Sequence, residues 1–221
     1  MEKKTGIFPQ LLLGIVLMFF VFSSAVTATL HFRPFYYGAI DRMELPERTG
    51  FSEEEIRENY DALIEYNSLF STGELELPTL EMSEAGRIHF AEVKVIFVAI
   101  QWMVIGTLIA GALGVFCLWK KRSFLYLKLG GLLTLAVPAV LGLLVAVSWN
   151  WLFITFHRLF FNNDYWIFDE RTDPVIQILP NEFFMRCAIL VLALVMLGAL
   201  LMLLLYRIAG RRSAGRETEA V

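Results

Sequence analysis

Four long apolar runs, separated by segments rich in charge, dominate the pattern of hydrophobic positions along the chain. They cover residues 7–30, 95–118, 124–147 and 183–206. Each run has the roughly 20 residues that a helix needs to cross the hydrocarbon core of a bilayer. The pattern therefore predicts an all-α integral membrane protein, with four transmembrane helices and a small, mainly helical extracellular cap.

The apolar runs and the segments between them predict an organisation in seven parts. These are a first transmembrane helix (1–30), an extracellular cap (31–93), a second transmembrane helix (94–118), a cytoplasmic turn with the third transmembrane helix (119–147), an aromatic extracellular interfacial loop (148–182), a fourth transmembrane helix (183–206) and a cytoplasmic tail (207–221). The first run has the basic start and small residues of a signal peptide, but its length favours an uncleaved helix.

Two local patterns place helices in the predicted cap. Ser52 and Glu55 form a capping box, and an apolar stripe at helical spacing follows them. Residues 73–78 have the composition of a loop. Ser83 then caps a helix that can run directly into the second transmembrane span.

Basic and acidic residues are distributed unequally between the two predicted sides of the membrane. Residues 31–93 contain fourteen Asp and Glu against five Arg and no Lys. The basic residues flank the other ends of the apolar runs: Lys3, Lys4, Lys120, Lys121, Arg122, Arg207, Arg211, Arg212 and Arg216. Because cytoplasmic loops carry an excess of Lys and Arg, both termini are predicted to be cytoplasmic. The net charge of -3 combines an acidic outside with a basic inside and does not indicate nucleic-acid binding.

The composition of the apolar runs argues against a proton pump or an ion transporter. The chain is 57% hydrophobic, and none of the four runs contains Asp, Glu or His. Pumps and transporters usually need charged groups at mid-membrane. Cys117 and Cys187 lie in apolar runs at opposite predicted faces, so they are interpreted as packing residues rather than as a disulfide.

Two histidines are the strongest candidates for chemistry. His89 precedes the second apolar run and His157 follows the third, so topology places both at the same membrane surface. Glu92 is three residues after His89 and shares its helical face, where its carboxylate can orient the imidazole. His157 lies in a segment, 149–184, that contains eleven aromatic residues. The pattern indicates general acid and base catalysis at the lipid–water boundary, whereas His31 is interpreted as an interfacial anchor.

Other catalytic arrangements are less well supported by the sequence. The chain has no G-x-S-x-G motif and no Cys near the predicted interface, so a covalent acyl-enzyme is not indicated. A metal site formed by His89, Glu92 and His157 is conceivable, but the spacing is not that of zinc proteases. We expect no metal and no cofactor.

The segment around His157 resembles the bacterial lipoprotein intramolecular transacylase family. The residues that carry the resemblance are Phe156, His157, Arg158, Leu159, Phe160, Phe161, Trp166, Phe168, Asp169, Asp173, Ile176, Pro180, Phe183 and Phe184. His89 followed by Glu92 is similar to a second, shorter element of that family. The resemblance extends over essentially the whole chain, with four spans, an acidic cap and an outer loop before the last span.

The resemblance implies a reaction, a partner and a set of site residues. The fatty acid at the glyceryl sn-2 position of a diacylated lipoprotein would move to the α-amine of its N-terminal cysteine, giving a lyso-form lipoprotein. By that resemblance His89 and His157 are the catalytic pair, with the roles of base and acid unassigned. The protein would act as a monomer in the bacterial cell membrane, in contact with membrane lipid and with its active site at the extracellular surface.

Further site candidates follow from proximity along the chain to His157. Arg158, Asn162 and Tyr165 are candidates for stabilising the oxyanion. Phe156, Phe160 and Trp166 are candidates for binding acyl or glyceryl groups. Two other functions stay open at this point: a non-enzymatic envelope sensor, chaperone or immunity protein, and a different lipid enzyme such as a phospholipid acyl-hydrolase.

Overall fold

The structure, a computed structural model, describes the backbone of residues 6–119 and 123–218, and side chains as far as residue 210. These residues form eight helices and no strand. The helices are α1 (Ile7–His31), α2 (Arg33–Arg42), α3 (Leu45–Thr49), α4 (Glu53–Tyr66), α5 (Glu84–Trp119), α6 (Leu125–Phe160), α7 (Val175–Ile178) and α8 (Asn181–Thr218). Among the basic residues used to predict orientation, Lys3, Lys4, Lys120, Lys121 and Arg122, and the side chains of Arg211, Arg212 and Arg216, lie outside this description.

Four of the helices are long and apolar enough to cross a membrane. They are α1, α5, α6 and α8, whose most apolar windows have mean hydropathies of 2.4, 2.1, 2.3 and 3.1. The predicted all-α, four-span architecture is therefore confirmed. Helices α5 and α6 are longer than their apolar runs, because α5 begins at Glu84 and α6 ends at Phe160.

One compact unit contains the described residues of the ranges 1–26, 102–143 and 190–221. Its helices approach closely at glycines. A Cβ on Gly14 would lie only 2.9 Å from the backbone nitrogen of Gly130, so both helices need glycine at this contact. Gln10 adds a side-chain bond, since its Oε1 accepts the amide of Tyr126 at 3.0 Å. Small residues of this kind allow helix backbones in a bilayer to pack at van der Waals distance.

The second compact unit contains residues 27–101 and 144–189 and has its own buried core. The rings of Tyr36 and Tyr60 stack with centroids 3.7 Å apart. The Tyr36 hydroxyl donates to the carbonyl of Ile178 at 2.7 Å, and burial raises the pKa of Tyr36 above its ordinary value. The core thus joins α2 and α4 to α7, so the cap includes part of the segment that was predicted to be a separate loop.

The local helix signals in this unit are confirmed. Ser52 and Glu55 form the expected capping box at the start of α4. The Ser83 hydroxyl accepts the amide of Gly86 at 3.0 Å, and α5 continues from this cap to Trp119. His89 therefore lies on the same continuous helix as the second membrane span.

The prediction that residues 148–182 form a loop is wrong for a large part of that segment. Ser148 has an extended conformation (φ -164°, ψ 97°) that interrupts α6, and the chain is helical again up to Phe160. The Ser148 hydroxyl accepts the amide of Trp151 at 3.4 Å, which is the bond of a helix N-cap. The aromatic residues from Trp149 to Phe160 are therefore held on a helix, which is followed by an irregular segment and then by α7.

Candidate functional site

His89 and His157 lie against each other in the second unit. Their ring centroids are 5.9 Å apart and the ring planes are inclined by 31°. His89 comes from the first turns of α5, and His157 comes from the last turn of α6, beyond the break at Ser148. The structure therefore brings together the two residues that the sequence could place only at a common membrane surface.

Aromatic rings enclose both imidazoles. His89 is only 5% exposed, and the rings of Phe161 and Phe168 lie edge-on to it at 4.8 Å and 5.4 Å. The Trp166 ring lies 4.7 Å from the His157 ring at a shallow angle of 31°. A charge is weakly solvated in such surroundings, so interactions with developing charge are stronger than in water.

The backbone of α6 determines the tautomer of His157. The Nδ1 atom of His157 lies 2.7 Å from the carbonyl oxygen of Phe153. Because a carbonyl oxygen can only accept, Nδ1 carries the hydrogen in the neutral ring, and Nε2 carries the lone pair. His157 is thus held in the form that can accept a proton at Nε2.

His89 has no such partner. Its Nδ1 atom is buried, and the part of the chain that the structure describes offers it no hydrogen bond. A buried polar atom without a partner costs stability, so its retention needs a reason. A position that is filled by a substrate group or by water would provide that partner.

Glu92 does not orient His89 through the direct hydrogen bond that the sequence suggested. Its Oε1 atom instead accepts the side-chain amide of Asn163 at 2.9 Å, and its Oε2 atom is buried without a partner among the described residues. The i,i+3 spacing placed Glu92 on the correct face of α5 but could not show that Asn163 would reach the carboxylate.

Asn163 is a residue of the site that the sequence analysis missed. Besides Glu92, it contacts two neighbours: its backbone oxygen accepts the indole N–H of Trp166 at 3.1 Å, and its Oδ1 accepts the amide of Tyr165 at 3.1 Å. Asn163 therefore connects α5 to the tryptophan that stacks on His157. The Asn-Asn-Asp sequence predicts a turn, but nothing in it identifies which Asn reaches a residue 71 positions away.

The structure separates the other candidates into two groups. The ring of Phe156 lies 5.4 Å from the His157 ring, and the ring of Phe160 lies 4.7 Å from that of Phe156. Both phenylalanines are largely exposed and can contact acyl chains.

Arg158, Asn162 and Tyr165 are also exposed, and within the described residues their side chains form no hydrogen bond or ion pair that brings them to the imidazoles. His31 is separate from the pair, since its ring contacts Thr27 and Ser68.

The N-terminus of α5, and with it His89, is held by a buried aspartate. Asp173 is 3% exposed, and its Oδ1 accepts the amide of Ser83 at 2.8 Å. Thr172 donates its hydroxyl to Oδ2 at 2.8 Å. A Cβ on Gly86 would overlap the Asp173 carboxylate, so glycine leaves room for this approach. The loop before α7 thereby positions the helix turn that carries His89.

Replacing Asp173 with alanine is expected to lower the free energy of unfolding by about 1–3 kcal/mol, because the partly buried amide of Ser83 would lose its acceptor. The same change should reduce activity by loosening the first turn of α5. Thermal unfolding in detergent would measure the first effect. Asp169→Ala is the matched control, since that carboxylate is exposed and, among the described residues, pairs only with the exposed Arg171. An equal loss of melting temperature in both variants would contradict the positioning role of Asp173.

The described residues contain no group of three or more His, Cys, Asp or Glu side chains that could hold a metal ion. The chemical groups of the site are the imidazoles of His89 and His157 and the carboxylate of Glu92, whose Oε2 atom has no partner among the described residues. Aromatic rings surround the two imidazoles. This arrangement can move a proton and can bind an apolar group beside the place where the proton moves.

Comparison with known proteins gives one family and three solved structures. The sequence matches the family described as lipoprotein intramolecular transacylase Lit over residues 11–184. The structure is similar to the membrane integral lipoprotein intramolecular transacylase Lit from Bacillus cereus, with 38% sequence identity and a TM-score of 0.92. That match covers 94% of this chain and 96% of the Bacillus cereus chain.

Two variants of the Bacillus cereus protein, in which a histidine is replaced by arginine or by alanine, match with TM-scores of 0.86. Their sequence identities to this chain are 37% and 38%. The match to the arginine variant covers 95% of this chain and 93% of the variant chain. The match to the alanine variant covers 94% of each chain. No curated protein sequence matches the chain.

Proposed function

The chain belongs to the lipoprotein intramolecular transacylase family, and on that premise we propose that it moves an acyl chain within a single lipoprotein substrate. The acyl chain leaves the glyceryl sn-2 oxygen of a diacylated lipoprotein and is transferred to the α-amine of the N-terminal cysteine. The product is a lyso-form lipoprotein with an amide-linked chain. The observation that carries this proposal is the pair of imidazoles of His89 and His157, whose ring centroids are 5.9 Å apart. Aromatic rings enclose this pair.

His157 is proposed as the general base. Its Nδ1–H donates to the carbonyl of Phe153, which leaves the lone pair of Nε2 available for the proton of the attacking amine. An imidazole suits this role near neutral pH because its ordinary pKa is about 6.5. Removal of that proton as the nitrogen attacks avoids an unstable cationic intermediate.

His89 is proposed to donate a proton or hydrogen bond to the departing glyceryl oxygen. The carbon–nitrogen bond forms as the carbon–oxygen ester bond breaks, the nitrogen loses one proton and the oxygen gains one. The reaction is therefore an isomerisation without a net change in protons. A substrate oxygen beside His89 would also complete the hydrogen bonding of an imidazole whose Nδ1 atom is buried and has no partner among the described residues.

The two reacting groups belong to one molecule, so orientation supplies much of the rate. Holding an amine and an ester in a productive geometry is worth about 7–11 kcal/mol in favourable cases. Trp166 and Phe156, which lie against His157, provide an apolar surface for this purpose. Arg158, Asn162 and Tyr165 stay our candidates for stabilising the oxyanion.

The setting of the site in the membrane is part of the same proposal. The protein acts in the bacterial cell membrane as a monomer, with both termini in the cytoplasm and the site at the extracellular surface. Lipoproteins and membrane lipid are its partners. The acidic composition of residues 31–93 and the basic residues at the other helix ends support this orientation.

Expression in a bacterial host whose lipoproteins are only diacylated tests the proposed reaction. Because an isomerisation leaves the intact mass unchanged, tandem mass spectrometry of an abundant N-terminal lipopeptide must locate the acyl chain. We expect fragments with an amide-linked chain and a glyceryl group that carries one ester. Unchanged diacylglyceryl fragments, in cells where the protein is inserted and abundant, would contradict the proposal and favour a non-enzymatic envelope protein.

A further inference from the structure

The short loop that follows α4 has an unusual combination of features for a segment of an acidic cap. Residues 67–71 read Asn-Ser-Leu-Phe-Ser and carry no charge, and Phe70 is 85% exposed. In water, a phenylalanine at the tip of a loop would expose its whole apolar ring without benefit. The contacts of this loop indicate a different environment.

Gln101 binds the loop to α5. Its side-chain Nε2 donates to the carbonyl of Asn67 at 2.9 Å, and its Oε1 accepts the amide of Leu69 at 3.0 Å. Gln101 is 7% exposed and donates a further bond to the carbonyl of Phe97 in its own helix. The loop is therefore held at the level of Gln101 rather than above the end of the helix.

Gln101 lies within the apolar run of α5, which begins after Lys94. At 1.5 Å per residue, Gln101 is about 10 Å further along the helix than Lys94. The ammonium of Lys94 lies 4.0 Å over the ring of Tyr66, the last residue of α4. The chain thus leaves α4 beside Lys94, which marks the polar end of the apolar run of α5. Residues 67–71 then continue alongside the apolar part of that helix.

Most amides of the loop backbone meet the condition that the hydrocarbon layer imposes, which is that polar groups are paired within the protein. Four of its five amides donate hydrogen bonds, those of Asn67, Ser68, Leu69 and Ser71. The Ser68 hydroxyl donates to the carbonyl of Ile64, and the ring of His31 contacts that hydroxyl at 3.2 Å. Irregular backbone is tolerated at membrane depth only where its polar groups find partners within the protein.

We propose that residues 67–71 insert into the bilayer beside α5, with Phe70 as the lipid-facing tip of the loop. The partner of this surface is the acyl-chain region of the same membrane. Gln101 acts as the internal partner that makes the insertion of the loop backbone possible. This inference rests on contacts outside the histidine site and is independent of the proposed reaction.

Spin labelling of the full-length protein in lipid vesicles tests the proposal. In a Cys117→Ala/Cys187→Ala background, a nitroxide would be attached at Phe70→Cys or, as the matched control, at Glu76→Cys on the exposed segment that follows. Molecular oxygen concentrates in the hydrocarbon, and a nickel chelate stays in water. We expect the ratio of oxygen to nickel collision rates to be several-fold higher at position 70 than at position 76.

Equal collision ratios at positions 70 and 76 would overturn the proposal. A label at position 70 that neither oxygen nor the nickel chelate reaches would also overturn it, because it would indicate a protein partner over Phe70. Gln101→Leu adds a second measurement, because it removes both side-chain bonds to the loop. The position-70 label should then collide more often with the nickel chelate. An unchanged ratio in an inserted Gln101→Leu protein would contradict the anchoring role of Gln101. Should that variant fail to insert, the comparison of positions 70 and 76 still decides the proposal.

Discussion

Replacing His157 with alanine is expected to lower the rate of acyl transfer by about 10²–10⁴-fold, the usual contribution of a general base. The physical reason is the loss of Nε2, which is the ring nitrogen left free when Nδ1–H donates to the Phe153 carbonyl. The measurement is the initial rate at which amide-linked lipopeptide forms from a diacylated substrate. Quantifying the fragments by tandem mass spectrometry separates this product from a substrate of equal mass.

His157→Asn is the sharper form of this experiment. An asparagine amide can occupy the position of the ring Nδ1 and still donate to Phe153, but it has no group at the position of Nε2. We expect His157→Asn to be as inactive as His157→Ala while it unfolds at nearly the wild-type temperature. His31→Ala is the matched histidine control, because that ring is exposed and bonds to Thr27 and Ser68. Substantial activity in His157→Asn would show that Nε2 is not the base.

Replacing His89 with leucine is expected to abolish most of the activity without lowering stability. Aromatic rings surround His89, and its Nδ1 atom has no hydrogen-bond partner in the described part of the chain. Leucine is of similar size and removes the cost of burying that unpaired nitrogen, so the free energy of unfolding should be unchanged or higher. Transfer should fall by about 10²–10⁴-fold if His89 assists the departing oxygen.

Two measurements on purified His89→Leu protein check this expectation, the melting temperature in detergent and the rate of transfer in the same preparation. A protein that melts at a much lower temperature would mean that His89 is needed for packing, and the loss of rate would then say nothing about chemistry. A stable protein that retains activity would contradict the role of His89 directly. The expected combination of unchanged stability and lost transfer is typical of a residue kept for function.

The four spans and the start of α5 were predictable because their signals are local. A run of about 20 apolar residues is sufficient for a membrane helix, since every backbone group is then paired within the segment. Ser83 before an apolar-rich helix marks an N-terminus in the same way, and the capping bond to Gly86 is present. The third apolar run ends at residue 147, next to the break at Ser148, but nothing local in the sequence shows that the chain is helical again up to Phe160.

The candidate site was predictable only in part. Topology assigns His89 and His157 to the same side of the membrane, but it gives neither the distance between the rings nor their partners. Asn163 is a clear example, because the turn in which it lies can be predicted while its bond to Glu92 spans 71 residues. Asp173 is similar, since its bond to Ser83 spans 90 residues. Such bonds depend on how distant helices pack, and that information is not contained in any short window of sequence.

By itself, therefore, the sequence of this protein determined the number of membrane helices and the start of the helix that carries His89, and it pointed to two histidines as the candidates for moving a proton. These follow from hydropathy, capping and the chemistry of the imidazole, all of which act locally. Only the tertiary structure decided that the two rings lie together, that the Phe153 carbonyl selects the tautomer of His157, and that Gln101 holds a loop beside the apolar part of α5. Those features arise because buried polar groups must find partners, and here several of the partners come from distant parts of the chain.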